Sequence, residues 1–178
     1  MILASASPQR AAILRQLGIP FEVVVPDVDE IESGTPAAVC EENARRKANA
    51  VDGELVLAAD TVVALEDEIY GKPENEAEAR ASLQALSGNT HTVWGGIALR
   101  EVGTTRTATA QTQVTFRNLA DHEIAWYLAT EEWRGRAGGY AIQGRGAALV
   151  SAIEGDFWNV VGLPVAELLN LQPTLLST

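Results

Sequence analysis

The chain is poor in the residues that usually advertise a mechanism. A single cysteine, Cys40, in 178 residues excludes an internal disulfide framework and fits a reducing compartment. The two histidines, His91 and His122, lie far apart and show no metal-ligand spacing. No apolar run approaches the ~20 residues of a membrane-spanning helix. No basic segment followed by a long apolar stretch marks a signal peptide, so a cytoplasmic protein with no membrane partner is expected. Thirteen basic residues face 24 acidic ones, for a net charge of −11. That balance argues against nucleic acid as a partner, because duplexes are gripped by clustered Lys and Arg. Lysine is scarce too: Lys47 and Lys72 are the only two, against eleven arginines. Gly-x-Ser-x-Gly, Walker and dinucleotide-binding fingerprints are also missing.

What is present is an ordinary globular composition, 47% hydrophobic and 21% charged. The length suits one sizeable domain, expected over residues 1–178, with no internal repeat or low-complexity linker. Ile2–Ala4 reads as a strand, followed by Ser7 as N-cap and Pro8 as the first residue of a helix that Gly18 ends. A second strand is expected at Phe21–Val25, followed by the acidic loop "PDVDEIESG". A helix opens at Thr35-Pro36 and runs to about Val51, with Glu41/Arg45 and Glu42/Arg46 as i,i+4 pairs. Leu55–Leu65 is almost continuously apolar, as a buried strand would be. Asn75 and Glu78 form a capping box for a helix ending near Ser87-Gly88. Two long strands follow, about Thr90–Arg100 and Thr105–Phe116. Asp121 is expected to cap a short helix. A glycine-rich segment, "AGGYAIQGRGAA", leads to a strand near Leu149–Ile153, and a last helix starts at Pro164. The alternation early in the chain and the antiparallel strands in its middle predict an α/β domain with a mixed sheet.

Three places invite chemistry. The start of the first helix presents unpaired N–H groups and the positive end of its dipole, with Arg10 beside it and Ser5 just before the turn. An anion could bind there; spacing alone equally describes a cap and a surface arginine. Asp60 is the one charge between Leu55 and Leu65, so it needs a partner, a metal or a strand end near solvent. Positions 40, 44, 47 and 51 share one helical face, which places Lys47 on an apolar stripe with Cys40, Ala44 and Val51. Lys47 either snorkels to solvent or reaches into a cleft. Lys72 sits in a tight Gly-Lys-Pro loop. His91 reads as a residue paired within a sheet, His122 as a surface residue, and Cys40 as a small buried apolar one. The four tryptophans read as core or rim.

The ordered set "LASASPQR", "RKA", "AADTVV", "GKP", "SGNTHTV", "AGGYAIQGRGA" and "VVGLP" resembles the Maf family, from residue 2 to about residue 166. The resemblance implies an elongated mixed β-sheet with flanking helices and two lobes around a cleft, similar to the inosine triphosphate pyrophosphatases. It also implies a nucleoside triphosphate pyrophosphatase, which cuts between the α and β phosphates, and a homodimer. Matched by position, Ser5, Arg10, Lys47, Asp60 and Lys72 become the functional polar set. Arg10, Lys47, Lys72 and a divalent metal (Mg²⁺ or Mn²⁺) would neutralise the triphosphate. Asp60 would hold the metal or take a proton from the attacking water, and Glu30 would help hold the metal. Substrate choice in the family tracks three positions, here Gln9, Thr61 and Gln143. Thr61 and Gln143 match the dTTP/UTP group, whereas Gln9 stands where that group has arginine. The Trp, Gln and Glu of the 7-methyl-GTP group are absent. Gly95 stands where the family usually has threonine. Other readings are a different base preference, including 7-methyl-GTP, and a non-enzymatic regulator of septum formation.

Overall fold

The strand Leu55–Leu65 is the axis on which the other elements are arranged. In a computed structural model, which describes residues 1–176, it is β3 of a seven-stranded mixed sheet. Ser177 and Thr178, the end of the expected 1–178 domain, lie outside the described residues. The remaining strands are β1 (Ile2–Ala4), β2 (Glu22–Val24), β4 (Glu68–Tyr70), β5 (Thr90–Glu101), β6 (Thr104–Phe116) and β7 (Val150–Glu154). The helices are α1 (Pro8–Gln16), α2 (Pro36–Asn49), α3 (Glu76–Leu86), α4 (Asp121–Leu128), α5 (Phe157–Val161) and α6 (Val165–Leu171).

The strands run in the order β2-β1-β3-β5-β6-β7, with β4 on β3 beside that path. β1 lies parallel to β2 and β3; all later pairings are antiparallel. Successive side chains of β3 point to opposite faces. Val56, Ala58 and Val62 face α2, packing with Ala44, Ala48, Val39 and Cys40. Leu57 and Ala59 face the other way, onto α1 and α6 through Leu14 and Leu168. Val63 joins a separate cluster with Leu83, Tyr127, Trp133 and Tyr140. These two clusters on one face form the two lobes, and the cleft opens between them. The α/β mixed-sheet architecture expected from the sequence is therefore present.

Local signals account for most helix starts. The Ser7 side chain accepts from Arg10 N with Pro8 in the first turn, Thr35 accepts from Ala38 N, and Asn75 accepts from Glu78 N. Three expectations are corrected. Ala120, not Asp121, is the cap of α4, because the Glu123 carboxylate accepts from Ala120 N at 2.9 Å and closes that end. Glu42 takes both Arg45 and Arg46, whereas Glu41 turns inward and accepts from the Thr107 hydroxyl at 2.6 Å. The short helix α5 was not expected; Asp156 starts it by accepting from Trp158 N at 2.8 Å.

Candidate active site

Adjacent residues of a strand face opposite sides of a sheet, so Asp60 and Thr61 should not reach one cavity. A gap in the pairing of β3 lets them. β1 pairs with β3 only as far as Leu57, and β4 pairs only from Val63. Between those points one edge of β3 is open, and the cleft enters there. The cavity has a volume of about 440 Å³, within the range of small-molecule sites. Ser5, Gln9, Arg10, Glu30, Lys47, Asp60, Thr61, Lys72 and Gln143 all line it, so every site residue expected from the sequence reaches the same space.

Lys47 lies at its floor, its side chain 8% exposed. The ammonium donates to Asp60 Oδ1 at 2.7 Å and pairs with Glu30 Oε1 at 2.8 Å. Of the two readings the helical spacing allowed, Lys47 enters the cleft: Cys40, Ala44 and Lys47 are buried on the face of α2 that meets the sheet, and Val51 is buried just past the helix, which ends at Asn49 rather than near Val51. The close approach of α2 depends on Gly96 in β5, where a β-carbon would lie 2.2 Å from the carbonyl oxygen of Cys40.

Asn43, one turn before Lys47, was missed in the sequence. Its amide nitrogen donates to Asp60 Oδ2 at 3.1 Å and to the carbonyl of Ile31 at 3.0 Å. Its amide oxygen accepts from Ile31 N at 2.7 Å. The side chain thus ties the acidic loop to the helix and fixes Glu30 beside Lys47. The i,i+4 spacing of Asn43 and Lys47 was the available signal.

Arg10 is buried and positioned by three neutral acceptors, Gly162 O at 2.8 Å, Ser5 Oγ at 3.0 Å and Thr61 Oγ1 at 3.2 Å, which leave two of its five N–H donors for a ligand. Burial lowers its pKa, and the charges of Asp60 and Glu30 act in the opposite direction. Ser5 Oγ accepts from Arg10 and from Ser7 N at 3.1 Å, which uses both lone pairs and leaves its hydrogen to donate. For Glu30, burial raises the pKa, but the hydrogen bond and charge of Lys47, with Lys72 and Arg10, prevail and hold it below the usual carboxylate range.

The far wall carries Lys72, Arg134, Arg136, Tyr140 and Gln143. Both arginines were missed, since nothing in the local pattern distinguishes them from surface residues. Tyr140 is held from behind by a 2.8 Å hydrogen bond between its hydroxyl and His91 Nε2, and His91 is buried in the sheet as expected. Burial lowers the pKa of His91 to about 4, so the ring is neutral near pH 7. At Gly95, a β-carbon would lie 1.8 Å from Asn159 Oδ1: the amide of Asn159, which donates to Val93 O and Thr112 Oγ1, occupies the place a threonine would need.

The donor set fits a hard divalent cation. Asp60 and Glu30 offer carboxylate oxygens at one spot, and among the described residues no cluster of three or more His, Cys, Asp or Glu side chains forms a ready-made cage. Two carboxylates, with substrate oxygens and water completing the shell, match the habit of Mg²⁺.

A mixed sheet with a cleft that gathers two carboxylates, Arg10, both lysines and a helix N-terminus is equipped to hold a small polyanion. A family model described as Maf-like protein matches residues 1–174, and the chain belongs to the Maf family. It is 47% identical over 171 residues to a dTTP/UTP pyrophosphatase of Symbiobacterium thermophilum, covering 93% of this chain and 88% of that one. It is 46% identical over 172 residues to a dTTP/UTP pyrophosphatase of Thermus thermophilus, covering 96% and 92%. Among solved structures, that of the Staphylococcus aureus Ham1 protein is similar with a TM-score of 0.47 and 18% identity, over 65% of this chain and 70% of that one. Among the described residues no helix is long and apolar enough to cross a membrane.

Proposed function

We propose that this chain hydrolyses nucleoside triphosphates between the α and β phosphates, releasing the monophosphate and pyrophosphate, with dTTP and UTP preferred. The observation that carries the reading is the Lys47 ammonium held between Asp60 and Glu30 in a cavity also lined by Arg10 and Lys72. The names of the relatives support the substrate class.

In this reading Asp60 and Glu30 would hold a divalent metal, Mg²⁺ or Mn²⁺, which would supply charge neutralisation and a more acidic water when bound. Arg10 and Lys72 offset charge on the phosphates, and the Ser5 hydroxyl donates to a phosphate oxygen. Asp60 either holds that metal or accepts the proton of the attacking water; Lys47 and Asn43 fix the orientation of its carboxylate. Gln9, Thr61 and Gln143 read the base. The site of action is the cytoplasmic nucleotide pool. A homodimer belongs to the same reading, supported by the exposed Val23, Val24 and Val25 at the β2 edge of the sheet, and light scattering reads it.

The test is pyrophosphate release from dTTP, UTP, CTP and 7-methyl-GTP with Mg²⁺, Mn²⁺ or a chelator. Release concentrated on dTTP and UTP and lost with chelator is expected. Preference for another base would support the second reading, for which Gln9 is the specific observation. No release from any nucleotide by folded protein would replace catalysis with a regulatory role.

A further inference from the structure

We infer that Arg136 is a substrate-binding residue that grips the phosphate chain together with Lys72; this rests on the nucleotide reading above. Most arginines here have a visible task. Arg10 is held by three acceptors, Arg100 caps the end of α2, Arg117 pairs with Glu123, and Arg134 pairs with Glu131 and stacks on Trp133. Arg136 has none. The residue lines the cavity half-buried, and its Nε is buried without a partner. Among the described residues its side chain makes no hydrogen bond or ion pair, although the charge of Glu132 acts on it. A buried N–H without an acceptor is costly, and an anion in the cavity would supply one.

The backbone places Lys72 alongside. Gly138 N donates to Gly71 O at 3.0 Å, which joins the loop carrying Arg136 to the loop carrying Lys72. Lys72 likewise has no ion-pair partner among the described residues. The opposite wall is different: the Arg10 fork already binds protein oxygens, and Lys47 is shared by two carboxylates. Lys72 and Arg136 are thus the cavity-lining cations with no protein acceptor among the described residues, on one pair of joined loops. A planar guanidinium there can take two oxygens of a phosphate at once. Burial lowers the Arg136 pKa, yet an arginine keeps its charge in any working range.

The test is calorimetric titration of inorganic tripolyphosphate into the wild-type chain and into R136Q, R136K and R80Q. Tripolyphosphate has no base and needs no turnover, so the result does not depend on whether dTTP or UTP is cleaved. R136Q should bind at least about tenfold more weakly, with a shallower salt dependence. R136K should recover most of the affinity, and R80Q, which removes a distant surface charge, should match wild type. R136M, which keeps the aliphatic stem, substitutes if R136Q fails to fold. Wild-type affinity in the neutral variant would overturn the inference, as would R136K binding as weakly as R136Q, which would indicate packing. Cleavage of dTTP by wild type with an unaltered R136Q titration would overturn this inference and leave the proposed function standing.

Discussion

The ammonium of Lys47 lies 2.7 Å from Oδ1 of Asp60, one residue from α2 and the other from the unpaired stretch of β3. Neither side chain is sensible alone. A buried lysine or aspartate without a partner is costly, and here each is the other's partner at the floor of the cavity. This pair is where packing and chemistry meet, and most of the tests below bear on it.

Replacing Asp60 by asparagine keeps the shape and removes the negative charge and the proton acceptor. Turnover of dTTP should fall by about 10³-fold or more. The chain should still fold but melt lower, because the new amide NH2 must face either the Lys47 ammonium or the Asn43 amide, both donors. Steady-state kinetics beside a thermal melt checks both; near-normal turnover would remove Asp60 from the chemistry.

Replacing Lys47 by methionine leaves Asp60 and Glu30 facing each other without a cation. A loss of about 3 kcal/mol in urea unfolding at pH 7 is expected. The pH dependence has a definite sign. Glu30 in the folded chain titrates below its ordinary value of 4.5. Its stabilising contribution is therefore present above pH 4.5 and is lost as pH falls through the lower folded value. Without Lys47 that lowering is largely gone, so the acid limb of the stability profile should move to higher pH.

Gly96→Ala should be severe for its size. The added carbon would meet the backbone of Cys40 and Glu41, at 2.2 Å and 2.6 Å from their nearest atoms, and backbone cannot rotate aside. The variant should lose about 2 kcal/mol or more. Activity should fall beyond what stability explains, because α2 carries both Asn43 and Lys47. Activity measured well below the melting temperature separates the two effects.

His91 is neutral when folded, with a pKa lowered by burial to about 4 against 6.5 when exposed. The unfolded chain binds this proton more readily, so stability should fall as pH drops from 6.5 towards 4, by on the order of 3 kcal/mol. His91→Gln should lack that component. Urea melts of both proteins at pH 7 and pH 4.5 provide the comparison.

Gln9 accepts from the Ser7 hydroxyl at 3.1 Å and lines the cavity. Gln9→Arg adds a cation where the dTTP/UTP group of the family carries one. The KM for dTTP and UTP should fall several-fold with kcat little changed. An unchanged KM would show that this position does not set substrate affinity here.

Much of this molecule was legible in its order of residues. The stripe at 40, 44, 47 and 51 placed Lys47 on the packed face of α2, and an apolar run interrupted by one aspartate placed Asp60 in a buried strand. Caps at Ser7, Thr35 and Asn75 set helix starts, because a side chain bonding a backbone three residues away is a local event. Arg134, Arg136 and Asn43 were not found that way. Their roles depend on what faces them, and those partners lie on other elements.

The sequence by itself determined the mixed α/β character, the ends of the main elements and, through its resemblance to the Maf family, which polar residues to watch. Only the tertiary structure decided that they meet. It ended the pairing of β1 with β3 at Leu57 and began that of β4 at Val63, so the edge of β3 opens at Asp60 and Thr61. It brought Glu30 to Lys47 and turned Arg10 onto Ser5, Thr61 and the carbonyl of Gly162, 152 residues away in the chain. The physical reason is one of range. Periodicity and capping act over a few residues, whereas an ion pair or a cavity wall depends on where the sheet sets its strands.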